Sequence, residues 1–320
     1  MRGLFKEIKN ELKVVEQELR NVFQTADPFV AEVATHLLDA GGKRLRPAFS
    51  LLAGRCADYN FERVLPLAVA LELIHMATLV HDDVVDSSIK RRGVGTAKAL
   101  WGNQISTQIG VYLFSRSLTL ISGYPEPLII KVLANASVRM CEGEILQVVT
   151  CSDPRQTIKD YFYRIKRKTA LLIAASCQLG ALVCGAPAGV YASLGRYGYN
   201  LGMAFQITDD ILDMVADEEL LGKPVGSDLH QGILTLPAIY ALKHSPQKEH
   251  LSSLIFGRGQ DESQLQKAIE LIEDCGGIAF AGQLAQKFTV RAKRALAILP
   301  AQPAKKALEL VADFIQTRRF

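Results

Sequence analysis

Apolar residues recur at spacings of three and four along most of the chain. Leu4, Ile8, Leu12, Val15, Leu19 and Val22 form one such stripe, which predicts an amphipathic helix. Phe29 to Leu38 continues the pattern after Pro28, and Gly41-Gly42 interrupts it. Pro47 suits the opening of the next helix, where a missing N–H costs nothing. Further breaks are expected at Pro66, Gly93 to Gly95, Gly123 to Pro127, Pro154, Gly185 to Gly189, Gly222 to Gly226 and Pro246. Alternating apolar and polar runs are scarce. The pattern predicts an all-α fold, a helical bundle in a single domain over residues 1–320, with no linker.

One stretch, residues 169–191, is almost uncharged and long enough to span a bilayer. Gln178, several glycines and Pro187 interrupt it, and it follows the basic run Arg164-Ile165-Lys166-Arg167-Lys168. A helix apolar all round also fits the core of a large protein, so a buried central helix is expected rather than an integral membrane protein.

Composition narrows the class. With 49% hydrophobic residues, 320 residues can bury a large core. Residues 1–23 carry charges throughout and lack the apolar region of a signal peptide. Cys56, Cys141, Cys151, Cys177, Cys184 and Cys275 form no Cys-x-x-Cys pair, and most sit among apolar residues. They read as small core residues of a reduced, cytoplasmic protein. The net charge of +4 is mild and its basic residues are clustered, which suits small anions. No basic stripe interleaved with aromatics supports nucleic-acid binding.

The candidate chemistry lies in one signature that occurs twice. Asp82-Asp83-Val84-Val85-Asp86 and Asp209-Asp210-Ile211-Leu212-Asp213 both read Asp-Asp-apolar-apolar-Asp within apolar runs. Carboxylates in such surroundings are rare unless paired or bound to metal. On a helix, positions i and i+4 share a face, so Asp82 pairs with Asp86 and Asp209 with Asp213. Two such faces opposite each other form an all-oxygen cage, which suits Mg²⁺ with substrate phosphates. An EF-hand is excluded, because its loop glycine and terminal Glu are absent. Basic clusters alternate with the acidic ones: Gly41-Gly42-Lys43-Arg44-Leu45-Arg46-Pro47, Lys90-Arg91-Arg92-Gly93, Arg164 to Thr169, and Lys223. Singly, each could be a solvated face. Together they suit one diphosphate chemistry, with Asp holding Mg²⁺ and Arg or Lys meeting phosphate oxygens.

In this order, Gly-Gly-Lys-Arg-Leu-Arg-Pro, the first acidic motif with Arg91-Arg92-Gly93, Lys168-Thr169, and Gln206 before the second acidic motif resemble the trans-isoprenyl (polyprenyl) diphosphate synthases. The resemblance covers nearly the whole chain. Residues 72–81, residues 164–173 and the Arg318-Arg319-Phe320 ending are similar, more narrowly, to the catalytic large subunit of bacterial two-component heptaprenyl diphosphate synthases.

The resemblance implies an isoprenoid-synthase bundle around a deep cavity. It implies condensation of isopentenyl diphosphate with an allylic diphosphate into a long all-trans product, for a quinone side chain such as that of menaquinone. Lys43, Arg46, His75 and Arg92 would hold isopentenyl diphosphate. Arg91, Lys168 and Lys223 would hold the allylic diphosphate, with Thr169 and Gln206 facing the reacting carbons. Asp82, Asp86 and Asp209 would be the main ligands of about three Mg²⁺ ions, with Asp83, Asp210 and Asp213 nearby or acting through water. The partner would be a second copy or a small regulatory subunit, and the product can partition to membrane. Ala77 and Thr78, one turn before Asp82, are small where a bulky ring would stop the chain, which argues for a product of about C30–C40, C35 favoured. The alternatives are a shorter-chain synthase of about C15–C20 or a non-catalytic subunit. Two positions depart from the family pattern: Val111 stands where Asp is common, and Ile233 where Lys is. His75 and His81 border the first motif, and either can be purely structural.

Overall fold

The computed structural model describes residues 5–24, 27–215, 225–257 and 261–317. The all-α expectation holds: helices dominate, and the one sheet among the described residues is a two-stranded hairpin. The helices are α1 (Lys9–Gln24), α2 (Pro28–Asp39), α3 (Leu45–Gly54), α4 (Phe61–Val85), α5 (Ala97–Ile121), α6 (Pro127–Val149), α7 (Ile158–Ile165), α8 (Leu171–Val183) and α9 (Ala188–Val215). Strands β1 (Lys90–Arg91) and β2 (Val94–Gly95) separate α4 from α5. Six further α-helices and one 3-10 turn are described between Ser227 and Thr317.

The chain gathers into two compact units. The first comprises residues 1–134, 175–195 and 298–308. Its centre is α4, which packs on α3 and α5 and is buried at Leu67, Leu71 and Leu73. The second comprises residues 135–174, 196–297 and 309–320. Its core gathers Tyr161, Ile165, Met203 and Ile207 with Leu234, Leu236 and Ile272.

The breaks at Gly41-Gly42, Gly185 and Pro246 fall between helices as expected. Pro66 does not break the chain and sits inside α4. A proline should disrupt the ladder around the preceding turn. Here the Tyr124 hydroxyl accepts from Leu67 N at 2.9 Å and donates to Arg63 O, bridging the donor and acceptor of that turn. A distant side chain thus completes what the helix backbone cannot. The apolar stretch 169–191 is likewise not one helix. It holds a π-helical turn, then α8, a turn with Gly185 at φ +72°, and the start of α9. Most of α8 is buried. Among the described residues, α4 alone is long and apolar enough to cross a membrane, and two thirds of that span (67%) is buried in the protein.

Candidate active site

In the first unit, the Gly-Gly-Lys-Arg segment turns on two positive φ angles, Gly41 at +77° and Arg44 at +47°. Arg44 is the residue before α3, and its guanidinium points inward. It meets Glu16 of α1 through Nε at 2.7 Å and Nη2 at 3.1 Å, Glu72 of α4 at 3.2 Å, and Leu38 O at 3.2 Å. Burial opposes its charge, but the bonds and charges of the two carboxylates outweigh this and raise its pKa. Lys43 is exposed beside it, and Arg46 is half-buried one turn on.

The hairpin supplies the second basic group. Lys90 pairs with Gly95 and Arg91 with Val94, which leaves Arg92-Gly93 as the turn. Both turn residues have positive φ, +55° and +82°, as a type I′ hairpin requires. A Cβ on Gly42 would lie 2.7 Å from Arg44 Nη1 and 3.0 Å from Arg92 Nη1. The glycine therefore lets two guanidinium groups close on the loop. His75 on α4 is held neutral, its pKa pushed well down by burial and then by Arg46, Arg92, Arg91 and Arg44. Its neutral imidazole can still donate to a phosphate oxygen.

The first acidic motif closes α4. Asp82 lies in the last turn and Asp86 is the residue that ends the helix, its N–H bonded to Asp82 O at 2.8 Å. Both are half-buried. Asp83 turns inward, and Arg91 clamps its Oδ1 through Nε and Nη2, each at 2.8 Å. Arg91 is thus engaged with the acidic motif itself. His81 packs on α5, with Nε2 3.2 Å from Thr107 O. A Cβ on Gly110 would collide with its ring. That contact gives His81 a structural role, while Val111 beside it is exposed. Ala77 is buried, and the half-buried Thr78 turns its hydroxyl back to His75 O at 2.8 Å.

In the second unit, Lys168 and Thr169 lie in the π-helical turn Lys166–Ala170, a rare geometry that recurs at functional sites. Lys168 meets Glu144 at 3.0 Å and Gln147 at 3.3 Å. Thr169 donates to Gln206 Oε1 at 2.6 Å, and Gln206 donates to Asp210 Oδ1 at 2.8 Å. Tyr161 donates to the other oxygen of Asp210 at 2.6 Å. Both oxygens of Asp210 are therefore held by protein. Its pKa is pushed up to about 7, by burial and the charge of Asp228, against the hydrogen bonds of Tyr161 and Gln206. Asp213 is buried and accepts from Asp228 N at 3.1 Å, while its carbonyl accepts from Gly226 N at 2.7 Å. Of this motif, Asp209 is the half-buried member. Ile233 is half-buried, and its N–H bonds Asp228 O at 2.8 Å. Lys223 and the Arg318-Arg319-Phe320 ending lie outside the described residues.

Sequence reasoning gave no individual role to Arg44, Glu72, Tyr161 or Glu144. Glu72 left a signal, as the one acid in residues 64–80. Tyr161 left none, since its partner is 49 positions away.

The donor set fits a hard cation. Every candidate ligand is a carboxylate oxygen, and the first motif lies at the C-terminus of α4, where the backbone dipole already repels negative charge. Among the described residues, no three carboxylate, imidazole or thiol groups already converge as a metal site.

Comparison with known proteins agrees with the family resemblance. The model of the polyprenyl synthetase family matches residues 27–272. Heptaprenyl diphosphate synthase component 2 of Geobacillus stearothermophilus is 43% identical over 320 residues, covering 100% of this chain and 99% of that protein. A polyprenyl synthase from Caulobacter crescentus, crystallised with calcium and isoprenyl diphosphate, superposes with a TM-score of 0.94 at 37% identity, covering 99% and 97% of the two chains. The heptaprenyl diphosphate synthase of Staphylococcus aureus gives a TM-score of 0.92 at 35% identity, covering 97% and 98%.

Proposed function

The chain belongs to the polyprenyl synthetase family and is a prenyltransferase, and from that premise we propose that it is the catalytic subunit of a long-chain, heptaprenyl-type synthase. Residues 1–320 act as one synthase in the cytoplasm, a setting that its six free thiols suit. The substrates are isopentenyl diphosphate and an allylic diphosphate. The product carries about 35 carbons, each buried CH₂ adding roughly 0.8 kcal/mol to retention of the growing tail, and serves as a quinone side chain.

One observation carries the reading. Asp82 and Asp86 end α4 beside a hairpin whose Arg91 is bonded to Asp83, so cation-binding and phosphate-binding groups share one rim. Asp82, Asp86 and Asp209 are the metal ligands, and Asp83, Asp210 and Asp213 hold the backbone and side chains around them. Magnesium, when bound, neutralises charge that grows on the leaving diphosphate. Lys43, Arg46, Arg92 and neutral His75 bind isopentenyl diphosphate. Lys168 and Lys223 bind the allylic diphosphate, and Arg91 aids them by fixing Asp83. Thr169 and Gln206 present polar groups to the cation, and the apolar wall excludes water that would quench it. The proton released on condensation goes to the freed diphosphate.

The partner is a second, small subunit or another copy of the chain. An exposed stripe on α6 supports an interface: Ala134, Val138, Cys141, Ile145 and Val148 recur at four and three residues, the spacing of a helix-packing seam. The test of the whole reading is magnesium-dependent incorporation of labelled isopentenyl diphosphate into an extractable polyprenyl product, with and without the small subunit. No incorporation under either condition would overturn it.

A further inference from the structure

Lys43 in the loop and Arg46 at the start of α3 flank a residue that decides the shape of the turn between them. Arg44 adopts a left-handed backbone, φ +47° and ψ +42°, which is uncommon for a residue with a side chain and costs free energy unless its surroundings enforce it. The enforcement is visible. Every nitrogen of its guanidinium is bonded, to Glu16 of α1, to Glu72 of α4 and to Leu38 O at the end of α2. Glu72 is 3% exposed and its Oε2 has no hydrogen-bond partner, so Arg44 is the principal compensation for a buried carboxylate. Gly42 passes between the Arg44 and Arg92 guanidinium groups with no space for a methyl group.

We propose that Arg44 is a positioning residue for isopentenyl diphosphate binding: with Glu16 and Glu72 it locks the 41–44 loop so that Lys43, Arg46 and Arg92 converge on one diphosphate. This rests on the assignment of those three residues and His75 to that substrate. Four arginines near one histidine repel one another, and the repulsion lowers the pKa of Arg92 after burial does. The two carboxylates offset that repulsion at Arg44, so the remaining positive groups stay together. A lysine cannot reproduce the bond pattern, because the fork reaches both carboxylates and a carbonyl at once.

The test is steady-state kinetics with each substrate varied against a saturating level of the other. The variants are Arg44→Lys, Gly42→Ala, Glu16→Ala and Glu16→Gln, with Lys43→Ala and Arg92→Ala as controls and folding checked by urea titration. Arg44→Lys and Gly42→Ala should raise KM for isopentenyl diphosphate by about ten- to a hundredfold, as small misplacements do. KM for the allylic substrate should stay within about twofold. Glu16→Ala should follow them, and Glu16→Gln, which keeps an acceptor, should restore most of the affinity. Gly42→Ala keeps the proposal testable if Arg44 variants fail to fold. Selective control effects with no selective effect of Gly42→Ala and folded Arg44→Lys would overturn the positioning role alone. Controls that leave KM for isopentenyl diphosphate unchanged would overturn the substrate assignment and the positioning role together.

Discussion

Tyr161 donates a 2.6 Å hydrogen bond to Asp210, joining α7 to the middle carboxylate of the second acidic motif. Gln206 takes the other oxygen, and Thr169 takes Gln206. Tyr161→Phe should therefore leave a buried acceptor short of a donor and cost about 1–3 kcal/mol of stability. Urea titration checks this. A change below experimental error would mean that the bond contributes nothing net.

Asp82→Ala and Asp209→Ala should each lower kcat by several orders of magnitude, since charge stabilisation by metal is worth several kcal/mol in a transition state. Excess chelator should abolish activity and added Mg²⁺ restore it. Rapid-quench assays with both substrates saturating measure the effect. Full activity in chelator would contradict the metal role.

His75 predicts a pH dependence of stability. Its folded pKa lies well below the ordinary value of 6.5. As pH falls below about 6.5 the unfolded chain takes up a proton that the folded protein does not, so stability is lost there. Above that pH the contribution is constant. His75→Gln should make the unfolding midpoint less sensitive to pH between about 6.5 and 5. An unchanged slope would place the sensitivity elsewhere.

Ala77 is buried and Thr78 half-buried on the helix that ends in the first acidic motif. Ala77→Phe should shorten the product to about C15–C20 while early condensations continue, because a ring there blocks a tail whose burial otherwise favours elongation. Chromatography of the dephosphorylated products gives the answer. An unchanged distribution would mean that this face does not meet the tail.

The α6 stripe predicts association. Ile145→Lys places a charge at an exposed apolar position and should shift the assembly towards smaller species in analytical ultracentrifugation. Retention of the native assembly would remove this face from the interface.

The sequence by itself determined the all-α class, because spacings of three and four repeat through most of the chain and few alternating runs compete. It also determined the chemistry on offer, since each motif is contiguous: Asp-Asp-x-x-Asp, the Gly-Gly-Lys-Arg loop and Arg91-Arg92-Gly93 read locally. What each motif residue does was not local. Six similar aspartates divide into Asp82, Asp86 and Asp209, all half-buried, and Asp83, Asp210 and Asp213, buried and bonded to Arg91, to Tyr161 and Gln206, and to a backbone N–H. Gln206, four positions from Asp210, is a local helical partner, but the others lie 8, 49 and 15 positions away, so only folding selects them. Pro66 was misleading for the same reason, since Tyr124, 57 positions from Leu67, repairs the turn it disrupts. Arg44 sits inside the most legible motif, yet its inward turn depends on Glu16 and Glu72, each 28 positions away. Local sequence specifies which groups a helix or loop carries. Burial and long-range partners decide how each of them is held.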